Sequence, residues 1–228
     1  MKELVETYTL PILKEIENDE DQDQAQYEGS GILYTHNKQY YILTAYHVLE
    51  EFKENKQNYF IPSGEEMINL SGDLEYDAGL DIAILKINES DVCKFENYEF
   101  VTENMIESNL EAIEEVFLLG YPSSRTHFVP ISSEVKYTVL YGKAKLENTM
   151  NHDARCNNQN KIFIKYPENW NTDNIPHPKG MSGSGVWLTD NGRLRLIGIN
   201  HYFDRNSTIE AIKIQLYMKA LEFFTNKD

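Results

Sequence analysis

The chain has 228 residues, 41% of them hydrophobic, which is enough for one substantial core or for two small lobes. Its 37 acidic and 21 basic residues leave a formal charge of −16, so the average surface repels a nucleic-acid backbone. No apolar run approaches the roughly 18 residues needed to cross a membrane, and the first fifteen residues lack the apolar core of a signal peptide. These features predict a soluble, cytoplasmic protein that binds neither nucleic acid nor membranes.

The first stretch with a clear character is acidic and rich in glutamine. It covers residues 17–26, ENDEDQDQAQ, and cannot bury enough apolar surface to pack. We expect an exposed arm within an N-terminal segment that spans residues 1–28, with the structured body beginning at Gly29. The glycines of EGSGIL (28–33) lack the Lys-Ser/Thr of a phosphate loop and are expected to admit the chain to its first strand.

Short β-like runs separated by turn signals follow through most of the chain. Residues 32–46 read as a hairpin that leads into His47. Further strands are predicted at 81–87, 115–120, 134–146, 161–166, 184–189 and 193–203. Strands throughout, with few helical periods, predict an all-β fold built from antiparallel strands.

Two segments depart from the strand pattern. Residues 104–113, ENMIESNLEA, read as a short helix or linker that divides the strand-rich body into two comparable halves. Residues 209–224, IEAIKIQLYMKALEFF, carry apolar side chains at three- and four-residue spacing, which predicts a C-terminal helix that closes one lobe.

The cysteines give no sign of disulfide or metal chemistry. Cys93 and Cys156 lie far apart and form no CxxC pair, which fits a reducing compartment. The run HDARC (152–156) has one histidine and one cysteine without a second ligand pair, so no metal is predicted.

Three local settings carry the parts of a serine hydrolase. His47 lies in LTAYHVL at the end of the hairpin, Asp81 in GLDIAILKI before an apolar strand, and Ser182 and Ser184 in the glycine-rich run GMSGSGVW. A serine nucleophile needs an imidazole to take its proton, a carboxylate to orient that imidazole and backbone N–H groups for the oxyanion. The order His, Asp, Ser and the failure of G-x-S-x-G at Gly180 both exclude an α/β-hydrolase.

The motifs TA-x-HV, D-I-A-x-L and G-x-S-G-x-G, in this order, resemble those of chymotrypsin/trypsin-like serine peptidases, and 115–122 resembles their stand-alone bacterial members. The resemblance implies two antiparallel six-stranded β-barrels with the active site in the cleft between them. We assign residues 29–110 to the first barrel, 111–207 to the second and 208–228 to the C-terminal helix.

The same resemblance implies a role for each motif residue. His47 is the general base, Asp81 its orienting carboxylate and Ser182 the nucleophile, while the backbone N–H groups of Gly180 and Ser182 form the oxyanion hole. Gly183 lets the chain bend behind the reacting carbonyl. Asp73 and Asp77 compete with Asp81 in sequence, but neither directly precedes a buried-looking strand.

Residues 198–203 are expected to pair with the substrate backbone, which assigns Asn200, His201 and Tyr202 to substrate binding. In trypsin the acidic pocket floor lies six residues before the serine, where this chain has Pro176, so a preference for Lys or Arg is not implied. Asp173 is an alternative acidic group for basic substrates, and His201 lies one position beyond the histidine of acid-selective members.

Met181 stands where trypsin has the Asp that captures a newly cut N-terminus, so no such activation switch is expected. Control is expected to come from a regulatory protein partner, the acidic arm or the 147–178 loop. The leading hypothesis is a serine endopeptidase without a cofactor that acts on protein or peptide substrates. A binding module that has lost turnover and a serine esterase on the same fold remain the alternatives.

Overall fold

A computed structural model describes residues 2–16, 24–52, 57–64, 66–110, 115–122, 129–130, 140–146, 160–165, 178–190, 192–203 and 208–226. In these residues the first half of the chain contains α1 (Lys2–Tyr8), β1 (Thr9–Ile16), β2 (Gln24–His36), β3 (Gln39–Ala45), β4 (Tyr59–Ser63), β5 (Glu66–Asn69), β6 (Gly72–Asp77) and β7 (Ile82–Ile87). The second half contains β8 (Glu115–Gly120), β9 (Val129–Pro130), β10 (Leu140–Leu146), β11 (Lys161–Lys165), β12 (Gly185–Asp190), β13 (Arg193–Phe203), β14 (Thr208–Lys213) and α2 (Ile214–Thr225). Three 3₁₀ helices cover Tyr46–Val48, Glu89–Phe95 and Glu103–Met105.

The strands form two antiparallel sheets, one from the first half of the chain together with β9 and one from the other strands of the second half. The second half closes into a six-stranded barrel in the order β10-β11-β14-β13-β12-β8. The first half forms an eight-stranded sheet in the order β5-β4-β1-β2-β3-β7-β6, with β9 paired to β2. The predicted all-β fold with two lobes and a C-terminal helix is confirmed, and the first lobe has two more strands than the predicted six.

The predicted hairpin that leads to His47 is present as β2 and β3. Its two turn residues, Asn37 and Lys38, have φ of 50° and 63°. Positive φ at both central positions gives the twist that a two-residue hairpin needs, and Asn tolerates this conformation well. The turn therefore fixes the register in which β3 delivers the chain to the site.

The segment before Gly29 belongs to the first lobe. β1 pairs with β2 from Thr9 to Ile16 and with β4 at Leu13 and Lys14. β2 itself begins at Gln24, so the division expected at residue 29 falls inside a strand. The body begins earlier because β1 buries its apolar residues against β2 and β4. Residues 17–23, most of the expected arm, lie outside the described residues.

The predicted C-terminal helix begins later than its pattern indicated. Residues 208–213 form β14, which pairs with β11 on one side and β13 on the other, and the helix starts at Ile214. Pairing on both edges satisfies the backbone and overrides the helical spacing of the apolar side chains. β14 is thus the sixth strand of the second barrel.

The predicted linker contains one short turn of helix. The 3₁₀ helix ends at Met105, Ile106 forms a bridge with Leu196, and residues 107–110 belong to no helix or strand. Residues 111–113 of this prediction, and 134–139 of the predicted strand at 134–146, lie outside the described residues.

A shared apolar core joins the two lobes. It contains Ile84 from β7 and Trp187 from β12, together with Tyr8 from α1 and Tyr217 from α2. The Tyr8 and Trp187 rings are 5.9 Å apart, and the Tyr217 hydroxyl donates a hydrogen bond to the Thr44 carbonyl at 2.9 Å. The two lobes therefore present one fixed cleft between them. Neither described α-helix is long and apolar enough to span a membrane.

Candidate active site

His47 lies where β3 leaves the first sheet. β3 ends at Ala45, and a 3₁₀ helix over Tyr46–Val48 turns the chain so that the imidazole is 46% exposed while Val48 anchors the turn in the core. Nδ1 of His47 is 2.8 Å from Oδ2 of Asp81. This places the ring at the surface of the cleft with one nitrogen held by a carboxylate.

Asp81 holds the His47 segment at three points. Its carbonyl accepts a hydrogen bond from Tyr46 N–H at 3.1 Å, its Oδ1 accepts one from His47 N–H at 3.0 Å, and its Oδ2 faces the His47 ring. Asp81 has φ of 58°, a left-handed conformation that Asp adopts more readily than most residues. The turn before β7 therefore aims both carboxylate oxygens at His47.

Asp81 is ionised. Burial alone raises the pKa of its carboxyl, but hydrogen bonds from the His201 ring, the His47 ring and the His47 backbone N–H bring it well below its usual range. An ionised carboxylate only accepts hydrogen bonds, so His47 Nδ1 carries a proton and His47 Nε2 is directed away from the carboxylate.

Ser182 lies in a tight loop between residue 178 and β12. Gly180 and Gly183, on either side, have φ of 89° and 85°. The Ser182 carbonyl accepts a hydrogen bond from Ser30 N–H at 2.7 Å, so the loop is tied to β2 of the other lobe. The side chain of Met181 is fully buried in the core of the second barrel. An apolar anchor thus occupies the position before the serine.

The Ser182 hydroxyl is directed toward β13. Its Oγ donates a hydrogen bond of 3.5 Å to the His201 carbonyl. A bond of this length is at the weak limit for O–H donors, whose usual range is about 2.5–3.0 Å. The side chain shares the cleft with His47 but is not turned to the imidazole.

One cleft of about 540 Å³ brings the predicted residues together. It is lined by all seven residues that the sequence assigned to the site: His47, Asp81, Gly180, Ser182, Asn200, His201 and Tyr202. Asp73 and Asp77, the competing acids, lie in β6 and are exposed. The cleft thus draws its lining from both lobes, as expected for a site between two barrels.

Asn200 uses its backbone N–H, its carbonyl and its Nδ2 within the protein. Its backbone N–H donates to the Ser184 carbonyl at 2.8 Å, and its carbonyl accepts from Gly183 N–H at 2.7 Å. Its Nδ2 donates to the Met181 carbonyl at 3.1 Å. Asn200 thus braces the Ser182 loop, and its predicted role in substrate binding stays a prediction.

His201 occupies a place that the sequence did not predict. A register shift between Asn200 and Tyr202 makes it the extra residue of a bulge in β13, where pairing with β14 is interrupted. Its ring is 11% exposed, and its Nδ1 is 3.3 Å from Oδ2 of Asp81. Tyr202, the next residue, is 53% exposed at the cleft.

Behind His201 an ion pair continues toward the second barrel. Nε2 of His201 is 3.8 Å from Oε2 of Glu210 on β14, and that oxygen is 2.7 Å from Nζ of Lys161 on β11. His201 lowers the pKa of Glu210 to about 2, with a further contribution from Lys161 and against the opposing effect of burial. The helical pattern expected for the IEAIK segment gave no sign of this contact.

Glu28 and Lys179 also line the cleft. Burial raises the pKa of the Glu28 carboxyl, while nearby Lys14 lowers it and Glu51 raises it. No sequence signal pointed to either residue, because Glu28 falls in the segment expected to precede the structured body. Pro176, Asp173, His152 and Cys156, and most of the 147–178 loop, lie outside the described residues.

The described part of the chain contains no cluster of three or more His, Cys, Asp or Glu side chains placed to hold a metal ion. Cys93 is an exposed free thiol.

The comparisons with known proteins agree with this architecture. The crystal structure of the scabies mite inactivated protease paralogue S-I1 has a similar fold, with a TM-score of 0.61 at 12% sequence identity over 98% of this chain and 96% of that one. A comparison with curated proteins finds no match. The family description "Trypsin-like peptidase domain" matches residues 29–199, which include all three motifs. The chain belongs to the trypsin-like peptidase family.

Proposed function

We propose that this protein is a serine endopeptidase that hydrolyses peptide bonds through an acyl-enzyme. The observation that carries the proposal is the double contact between Asp81 and His47, through backbone N–H at 3.0 Å and ring Nδ1 at 2.8 Å, in a cleft that also contains Ser182. This contact fixes the tautomer and the orientation that a general base needs.

In the reaction, Ser182 Oγ attacks the substrate carbonyl carbon while its proton moves to Nε2 of His47. The carbonyl oxygen becomes an oxyanion that accepts hydrogen bonds from the backbone N–H groups of Gly180 and Ser182. His47 then protonates the leaving amine, the C–N bond breaks and an acyl ester remains on Ser182. Water hydrolyses this ester by the same route, with His47 again as the base.

The Ser182 hydroxyl must first turn from the His201 carbonyl toward His47. The bond that opposes this rotation about χ1 is a long one of 3.5 Å. Catalytic hydrogen bonds are often loose without substrate and tighten in the Michaelis complex. Substrate binding is expected to complete the triad.

The position of the Ser182 hydroxyl also favours a second candidate, a peptidase-fold binding module without turnover. If the hydroxyl stays on the His201 carbonyl, His47 cannot take its proton, and the cleft only binds peptides. The relative named above is described as an inactivated paralogue, which supports considering this alternative.

A fluorophosphonate probe separates the two candidates, because it reacts only with a serine whose proton is removed. We expect purified protein to be labelled at Ser182 and Ser182→Ala to remain unlabelled. Absence of labelling, with candidate partner proteins present, would favour the binding module.

Mapping of new N-termini in a cytoplasmic extract tests the bond that is cleaved. We expect defined cleavage sites with the intact protein and none with Ser182→Ala. Hydrolysis of model esters without any new N-termini would instead indicate a serine esterase. The cytoplasmic location, the bacterial type, the lack of a cofactor and a regulatory partner remain predictions.

A further inference from the structure

His201 lies between two carboxylates. Its Nδ1 faces Oδ2 of Asp81 at 3.3 Å, and its Nε2 faces Oε2 of Glu210 at 3.8 Å. Nε2 is buried and has no hydrogen-bond partner among the described residues. Each nitrogen therefore has a negatively charged oxygen as its nearest polar neighbour across the ring.

This surrounding favours the imidazolium. In a neutral ring that donates to Asp81 through Nδ1, Nε2 would direct a lone pair at the Glu210 carboxylate. A proton on Nε2 replaces that repulsion by attraction at both ends of the ring. The pKa of His201 agrees with this assignment: burial lowers it, but the carboxylates of Asp81 and Glu210 raise it above its usual value.

We propose that His201 is a positioning residue that is held as a cation between Asp81 and the Glu210–Lys161 ion pair and sets the lower pH limit of the activity. The inference rests on the proposed function. The His201 carbonyl accepts the long hydrogen bond from Ser182 Oγ, but the His201 ring does not touch the reacting atoms and acts through the carboxylate of Asp81, which it shares with His47.

The sign of the effect follows from charge. A cation on the far side of Asp81 reduces the attraction that the carboxylate exerts on a proton at His47. The His201 cation therefore opposes the addition of a second proton to the His47 ring, which must be neutral to accept the serine proton.

Charged and titratable groups face His201 from each element around it. They are Asp81 before β7, His47 on the 3₁₀ helix, Glu210 on β14, Lys161 on β11 and the adjacent Tyr202 on β13. With His201 protonated and His47 neutral, Asp81 and Glu210 are balanced by His201 and Lys161.

Histidine NMR titration of the full-length protein tests the inference without turnover. The Ser182→Ala background prevents self-cleavage, and His47 and His201 are assigned from single substitutions. We expect the His201 ring to titrate above the ordinary histidine value. In the active protein we expect His201→Gln to move the acid limb of kcat/KM to higher pH by on the order of 1 pH unit, because the opposing cation is gone.

Two further variants make the result specific. Glu210→Gln keeps the His201 ring but removes one carboxylate, so His201 should lose its proton at lower pH and the acid limb of kcat/KM should move by less than in His201→Gln. His36→Gln is the matched control, because His36 also pairs with a carboxylate, Glu103, at 2.5 Å but does not line the cleft. It should leave the acid limb of kcat/KM and the His201 titration unchanged.

An acid limb that is unchanged in both His201→Gln and Glu210→Gln would overturn the inference, as would a His201 that is neutral at pH 6. A protein in which His201 is cationic by NMR but which neither labels nor cleaves would contradict the proposed function and leave the cation between Asp81 and Glu210 standing.

Discussion

Gly183 and Ser30 touch across the two lobes: a methyl group on Gly183 would lie 1.8 Å from the Ser30 carbonyl oxygen and 2.2 Å from Thr44 Oγ1. Gly183 also has φ of 85°, so two independent constraints exclude a side chain. The Ser182 loop fits against the first lobe only because of this glycine.

We expect Gly183→Ala to displace the loop, abolish probe labelling and lower the free energy of unfolding by several kcal/mol. Gly192 is a matched control, because its φ is 76° but no atom of the described residues, apart from its own chain neighbours, lies within 4 Å of the position that an added methyl group would take. Gly192→Ala should cost only about 1–2 kcal/mol, from backbone strain, and keep activity. Urea unfolding and labelling of both variants check this, and equal effects would contradict the contact with Ser30.

The two serines of the motif should respond differently to loss of the hydroxyl. Ser182 lines the cleft, whereas Ser184 is fully buried and its Oγ has no hydrogen-bond partner in the described structure. Ser182→Ala should lower kcat/KM by about 10⁶. Ser184→Ala should leave it within a few-fold, because no bond is lost. Peptide hydrolysis rates decide, and the assignment of the nucleophile is wrong if the order is reversed.

Met181 should support the oxyanion loop through packing alone. Truncation of this fully buried side chain by Met181→Ala should cost about 2–5 kcal/mol and reduce activity, because the loop loses its anchor in the second barrel. Met181→Leu keeps the volume and should cost less than about 1.5 kcal/mol. Thermal unfolding and labelling measure both effects.

The same residue predicts that activation by N-terminal cleavage is not needed. An uncharged side chain at position 181 has no use for a new α-amino group. Protein with an N-terminal fusion should therefore label at the rate of the untagged chain. A gain of activity only after removal of the fusion would contradict this prediction.

Glu210→Gln should destabilise the protein most near pH 5–6. The pKa of Glu210 is lowered to about 2, so its contribution is present above its unfolded pKa of about 4.3 and is lost as the pH falls through the folded value. The pKa of His201 is raised, so its contribution is present below about pH 6.5 and is lost as the pH rises through the folded value. Both hold between these limits, where we expect a difference of about 1–3 kcal/mol.

Urea unfolding of the parent and of Glu210→Gln at pH 3, 5.5 and 8 checks this. The difference in unfolding free energy should be smaller at pH 3 than at pH 5.5. A difference that is equal at all three values would show that the carboxylate contributes packing and not charge.

The sequence predicted the parts of the fold in which local signals and tertiary pairing agree. The bounds of β8 and β13, and the hairpin before His47, match their patterns because their side chains alternate or run apolar between clear turns. β14 was missed because its apolar spacing also suits a helix, and only the strands on either side of it decide. β1 was missed because it follows no turn signal and contains Pro11.

The candidate site was predictable as a set of residues but not as a set of contacts. Order and local motif were enough to bring His47, Asp81 and Ser182 into one cleft. The contact of His201 with Asp81 depends on a single-residue bulge in β13, which no sequence period reports. The side-chain role of Asn200 likewise depends on how the Ser182 loop folds back on β13.

The two ends of the described chain cross over. The N-terminal helix places Tyr8 against Trp187 of the second lobe, and the C-terminal helix, which follows the second barrel, bonds the first lobe through Tyr217 and Thr44. Opening the lobes about a hinge would break both contacts at once. The width of the cleft is therefore set when the protein folds.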